Sequence, residues 1–167
     1  KIYGSVTDNH PTLPGSFAPT GITAPSVLAQ EAQERMLADA VKTARSAGAR
    51  DGVFHFEGYL TDEGPFVLFD ANPRVGGRPV VPLNNDIWGV NLLKESFLLW
   101  AAIPGKPYVP TIPGVKGPAG LKPNFHIYAK VMHASRSGVF RGVEGWDRLI
   151  KDPRVYLPAT MLLNKTG

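Results

Sequence analysis

The chain has 167 residues, 43% of them apolar and 19% charged, an ordinary globular balance with enough length for one domain and a real core. It has no cysteine, which excludes a disulfide framework and thiolate metal sites within it, it has no apolar run of membrane-spanning length, and no signal peptide is expected. The formal net charge is +4 with the basic residues scattered, which suits anionic ligands such as nucleotides and argues against a nucleic-acid surface; we expect a cytoplasmic protein that binds neither membrane nor nucleic acid.

The 18 glycines and 16 prolines predict many loops. Ile2 to Thr7 reads as a strand, broken by Asp8-Asn9-His10-Pro11, and the stretch from Thr12 to Pro25 reads as loop. His10, alone in that loop, is expected at the surface. Ser26 is placed to cap an amphipathic helix that runs to Ala47, with Leu28, Ala32, Met36, Leu37, Ala40, Val41 and Ala44 near helical spacing and Gly48 as the stop.

Val53 to Leu60 and Phe66 to Ala71 then read as two strands around the turn Thr61-Asp62-Glu63-Gly64. The strand period of two puts His55, Glu57 and Tyr59 on one face of the first strand, and Phe66, Leu68, Asp70 and Asn72 on one face of the second. If Thr61 faces Phe66, then Glu57 pairs with Asp70 and His55 with Asn72. Directly opposed side chains have Cβ atoms roughly 5 Å apart, and two carboxylates that close need a cation or a shared proton between them. A hard divalent ion with oxygen ligands answers that need, and Asn72 adds a neutral oxygen. Arg74 follows with a charge shaped for phosphate or carboxylate, and Gly76-Gly77 lets the backbone approach a ligand closely. A solvated hairpin face carries such charge pairs as well, so the spacing alone leaves both readings open.

Beyond the hairpin, Pro79 to Leu83 reads as extended. Asn84-Asn85-Asp86 offers caps for a helix from Ile87 to Ile103, which is apolar enough, with Trp88, Leu92, Leu93, Phe97, Leu99 and Trp100, to be mostly buried. Residues 104–123 form a Pro/Gly-rich connector. Strands are expected over Phe125–Ala134, Val139–Val143 and Val155–Leu163, with a turn at Ser135–Gly138 and a short helix over Glu144–Lys151. His126 and His133 fall on opposite strand faces, which argues against a shared metal.

FHFEG followed by LFDANPRVGG resembles the signature of the ATP-grasp ligases, and the similarity extends over about residues 1–150. Gly89-Val90-Asn91-Leu92 and GVFRGVEGWDRL add to it, pointing to the carboxylate–amine ligases of the L-amino acid ligase branch. The resemblance implies an α+β fold: the C-terminal domain of an ATP-grasp enzyme, a mixed or antiparallel sheet flanked by helices. It divides into a catalytic portion (1–103), the connector (104–123) and a small β-rich subdomain (124–167). It further implies ATP and Mg²⁺ as cofactors, with Mn²⁺ as an alternative ion. Glu57, Asp70 and Asn72 are then the metal ligands, Arg74 the catalytic contact to the transferred phosphate, and Gly76 and Gly77 part of the cofactor loop. Two positions depart from the pattern. The second metal position is usually Glu and here is Asp70, and Pro19 and Ile22 stand where the branch carries substrate-contacting acid and His residues.

The function expected on this basis is amide-bond formation between a small carboxylate and an amine through an acyl phosphate. The remaining, N-terminal part of the same enzyme is the expected partner, and a homodimer is an open alternative. A degenerate nucleotide- or partner-binding module is a second reading. A carboxylate-based metal phosphohydrolase ranks last, for want of further Asp or His ligands.

Overall fold

The computed structural model describes residues 2–15, 19–62, 66–77, 79–102, 126–130 and 144–155. The fold is α+β, with antiparallel sheets and few helices, as the sequence predicts. A three-stranded antiparallel sheet has the order β1 (Asp8–Asn9), β2 (Gly21–Ala24), β5 (Ile127–Lys130). Asp8 pairs with Thr23 and Ile22 with Ala129, so the central strand is short and wholly framed. β5 thereby joins a strand of the 124–167 region to the sheet of the 1–103 region.

Three sequence expectations fail at this end of the chain. Residues 2–7 are not a strand: Tyr3 and Ser5 hydrogen-bond a side chain instead of a neighbouring strand, both donating to Asn84 Oδ1, at 2.9 and 2.7 Å. The supposed loop from Thr12 to Pro25 contains β2, whose Ile22 and Ala24 are buried. Ser26 does not cap the helix. α1 spans Gln30–Ser46 with Ala29 at its N-cap, while the Ser26 hydroxyl donates to Asp8 Oδ1 at 2.5 Å. The C-terminal end is as expected, with Gly48 at φ +82° donating to the Arg45 carbonyl.

The core lies between β2, β5 and helix α2 (Val80–Trp88): Ile22, Ala24, Leu83 and Ile87, with Val80, Trp88, Ile127 and Ala129 packed against them. Here the predicted single helix over 87–103 is two. The stretch predicted as extended, 79–83, opens α2; Pro82 falls in the first turn, where its missing N–H costs nothing. Gly89 closes α2 in the left-handed region at φ +71°, and Asn91 restarts the chain as N-cap of α3 (Leu92–Trp100), accepting the Lys94 N–H at 2.9 Å. Gly89-Val90-Asn91-Leu92 is therefore a helix stop followed by a helix start. Nor is α3 mostly buried: Phe97 is 73% and Trp100 86% exposed.

β3 (His55–Leu60) and β4 (Phe66–Asn72) form the separate hairpin, and α1 packs on β4. α4 (Trp146–Leu149) sits within the predicted short helix. The connector 104–123, the turn Ser135–Gly138, the strand Val139–Val143, His133 and nearly all of Val155–Leu163 lie outside the described residues.

Candidate functional site

Two six- to seven-residue strands, rich in aromatic and other apolar residues, bring the predicted residues together. β3 and β4 pair antiparallel with Glu57 opposite Asp70 and His55 opposite Asn72. The closing end differs from expectation: Leu60, not Thr61, faces Phe66, because the register shifts between Glu57 and Gly58. The shift leaves Phe69 as an extra residue on β4, a bulge. Gly58 is its sequence signal, since a glycine inside a strand marks a close backbone approach. A Cβ there would lie 2.4 Å from the Phe66 ring and 2.6 Å from the Val67 carbonyl oxygen. The bulge also carries Phe69, expected on the face opposite Asp70, over to Tyr59, where the rings stack with centroids 6.0 Å apart. Both rings are exposed, at 62% and 56%.

Neither carboxylate bonds the other. Each is held along its own strand: His55 Nε2 lies 3.1 Å from Glu57 Oε1, and the Asn72 amide donates to Asp70 Oδ2 at 2.7 Å. Both carboxylates are half-buried. Among the described residues, no Lys or Arg pairs with either; the ion pairs there are His55–Glu57 and Arg154–Asp152. Facing carboxylates with an amide group beside them and, among the described residues, no Lys or Arg paired to either have the chemistry of a hard-cation site. No group of three or more His, Asp or Glu side chains is gathered as a metal cage among the described residues. Mg²⁺ does not require one, because it is held by one or two carboxylates and keeps water or phosphate oxygens for the rest. The donor set fits such an ion.

Arg74 lies past the end of β4, exposed, and donates to the Val75 carbonyl at 2.9 Å. The two glycines differ. A Cβ on Gly77 would meet open space, whereas one on the buried Gly76 would lie 2.9 Å from His55 Nδ1 and 2.9 Å from Val80 Cβ. Gly76 is thus small because the loop lies on the His55 ring. His55, seen in the sequence only as a member of the polar face, touches both Glu57 and the loop.

The other singled-out positions are structural. Ile22 is in the core. His10 is half-buried rather than a surface residue: its Nε2 lies 2.7 Å from Thr23 Oγ1 and its ring packs edge-on against Tyr128 at 4.8 Å. Tyr3 is pushed up to about 12 by burial, with the Ser5 hydroxyl acting in the opposite direction. No helix among the described residues is long and apolar enough to cross a membrane.

Comparison with known proteins gives one relationship. The chain is 32% identical over 150 residues to carnosine synthase 1 of Gallus gallus, covering 89% of this chain and 16% of that protein. It is 36% identical to carnosine synthase 1 of Homo sapiens and 34% identical to that of Mus musculus, each over 113 residues, 67% of this chain and 13% of the relative. The chain therefore spans 13 to 16% of the length of the curated relatives it matches. No family model and no solved structure matches it. Similarity to a region of a synthase agrees, at that coarse level, with the ligase resemblance carried by FHFEG and LFDANPRVGG.

Proposed function

We propose that this chain is the Mg–ATP-handling portion of an ATP-grasp ligase that joins a small carboxylate to an amine through an acyl phosphate. The observation that carries the reading is the register: Glu57 opposite Asp70 and His55 opposite Asn72, with Arg74 and the glycine loop directly after. The similarity to carnosine synthase 1 supports it.

Glu57 and Asp70 would hold the divalent ion, with the Asn72 carbonyl oxygen as a third donor. The ion, when bound, screens the ATP phosphate oxygens and polarises the phosphoryl group. Phosphoryl transfer asks the protein mainly for positioning and charge stabilisation, and Arg74 supplies the second. Its guanidinium is exposed and bonded only to a neighbouring carbonyl among the described residues, so a bound phosphate can take it over at small cost. Carboxylate activation of this kind needs no protein nucleophile: the γ-phosphoryl group moves to a substrate carboxylate oxygen, the amine nitrogen attacks the carbonyl carbon, and phosphate leaves with that oxygen.

The experiment follows from that balance. The intact protein is screened for ADP release against a panel of carboxylates and amines, and a productive carboxylate is then supplied with ¹⁸O. The reading expects one ¹⁸O in each phosphate released. Nucleotide binding with no carboxylate- or amine-dependent ADP release would instead favour the degenerate binding module, for which the Asp70 departure speaks.

A further inference from the structure

Position 55 is two residues before Glu57, so strand alternation puts the imidazole and the carboxylate on one face of β3. The ring is engaged at both edges. Nε2 lies 3.1 Å from Glu57 Oε1, and Nδ1 faces Gly76, where even a methyl group would sit 2.9 Å away. The His55 side chain is 21% exposed, so its rotamer is set by packing. A side chain at position 76 would also meet Val80 of α2, with its Cβ 2.9 Å from Val80 Cβ.

We infer that His55 is a positioning residue: one ring fixes the orientation of the Glu57 carboxylate and seats the loop that carries Arg74. This rests on the assignment of Glu57 as a metal carboxylate. A carboxylate that accepts one N–H at Oε1 keeps its other oxygen for an ion, and its side chain no longer has to be ordered when the ion arrives. Outer-shell hydrogen bonds to metal-binding groups are worth roughly 10–100-fold in metal affinity. An imidazole N–H can make this bond whether the ring is neutral or charged, so the role does not depend on titration. The same contact explains why position 76 is glycine: a Cβ there would lie 2.9 Å from His55 Nδ1.

The test is binding of Mn²⁺ with a non-hydrolysable ATP analogue to the full-length protein, followed by water-proton relaxation. Wild type is compared with Glu57→Gln, His55→Ala, His55→Gln and Gly76→Ala, and circular dichroism checks the fold of each. His55→Ala should weaken the complex roughly 10–100-fold. His55→Gln, which returns an N–H at a similar reach, should recover most of that loss, and Gly76→Ala, which pushes a methyl group into the ring, should weaken binding in the same direction. If Glu57→Gln weakens binding but His55→Ala stays within about twofold of wild type, the positioning role is wrong and the metal assignment stands. Equal losses in His55→Ala and His55→Gln would also overturn it, because packing rather than the hydrogen bond would then be at work. If wild type does not bind, or Glu57→Gln binds as well as wild type, the metal assignment fails and takes the inference with it.

Discussion

Glu57 and Asp70 are register partners across β3 and β4, yet each carboxylate is bonded along its own strand, to His55 and to Asn72. Like charges directly opposite on a sheet are destabilising. Glu57→Gln and Asp70→Asn should therefore leave the thermal midpoint unchanged or raise it, by an amount worth up to about 1 kcal/mol, in the absence of divalent ions. Added Mg²⁺ and nucleotide should raise the wild-type midpoint and not that of either variant. Thermal denaturation with and without Mg–ATP reads both effects.

Arg74→Lys keeps the charge and loses the planar fork. It should lower kcat on the order of a hundredfold while changing KM for ATP far less, because the donor acts on charge that develops in transfer. Steady-state kinetics separate the two. If Arg74 serves only its contact with the Val75 carbonyl, the turnover number stays within a few-fold of wild type.

Asn84 is 1% exposed and ties residues 2–7 to α2: it accepts from Tyr3 and Ser5 and donates to the Val80 carbonyl of its own helix at 3.0 Å. Asn84→Ala strands two hydroxyls and should cost about 1–3 kcal/mol in a denaturant titration. Ile87→Ala, at a fully buried apolar position, should cost about 2–5 kcal/mol in the same titration.

Tyr3 also gives a pH signature. Burial disfavours the phenolate and pushes the phenol up from its ordinary value of 10.0 to about 12 in the folded state. Below the unfolded value both states keep the proton and nothing is lost. As pH rises through this window the unfolded chain releases its proton first, so stability falls, by roughly 2–3 kcal/mol at most. Tyr3→Phe should remove this part of the alkaline loss. The stability difference between wild type and variant, followed from neutral pH to pH about 12, isolates it from the lysines.

The hairpin was legible because polar residues two apart in an apolar run mark one strand face, and because the turn composition between Leu60 and Phe66 locates the reversal. Gly58 marks the bulge only as a close backbone approach and does not say which strand carries the extra residue, since one residue of slack moves Phe69 without altering the pairing of Glu57 with Asp70. Residues 2–7 alternate like a strand, but the partner of Tyr3 and Ser5 is a side chain 79 or more positions away. β2 is only four residues long and lies among prolines and glycines, so no periodicity could announce it. The division of the predicted helix at Gly89 and Asn91 was written in the sequence as a stop and a cap, and was masked by the apolar composition on either side. The exposure of Phe97 and Trp100 shows the limit of composition, which says that a helix has apolar residues but not what covers them.

The central claim is that the facing carboxylates of β3 and β4 serve Mg–ATP turnover. ADP release by the intact protein, at saturating Mg²⁺ and with a carboxylate and amine pair that supports wild-type turnover, tests it most directly. The account predicts that Glu57→Gln and Asp70→Asn each abolish that release while the folded state survives. ADP release near the wild-type rate by either variant, above all at limiting Mg²⁺, would contradict it.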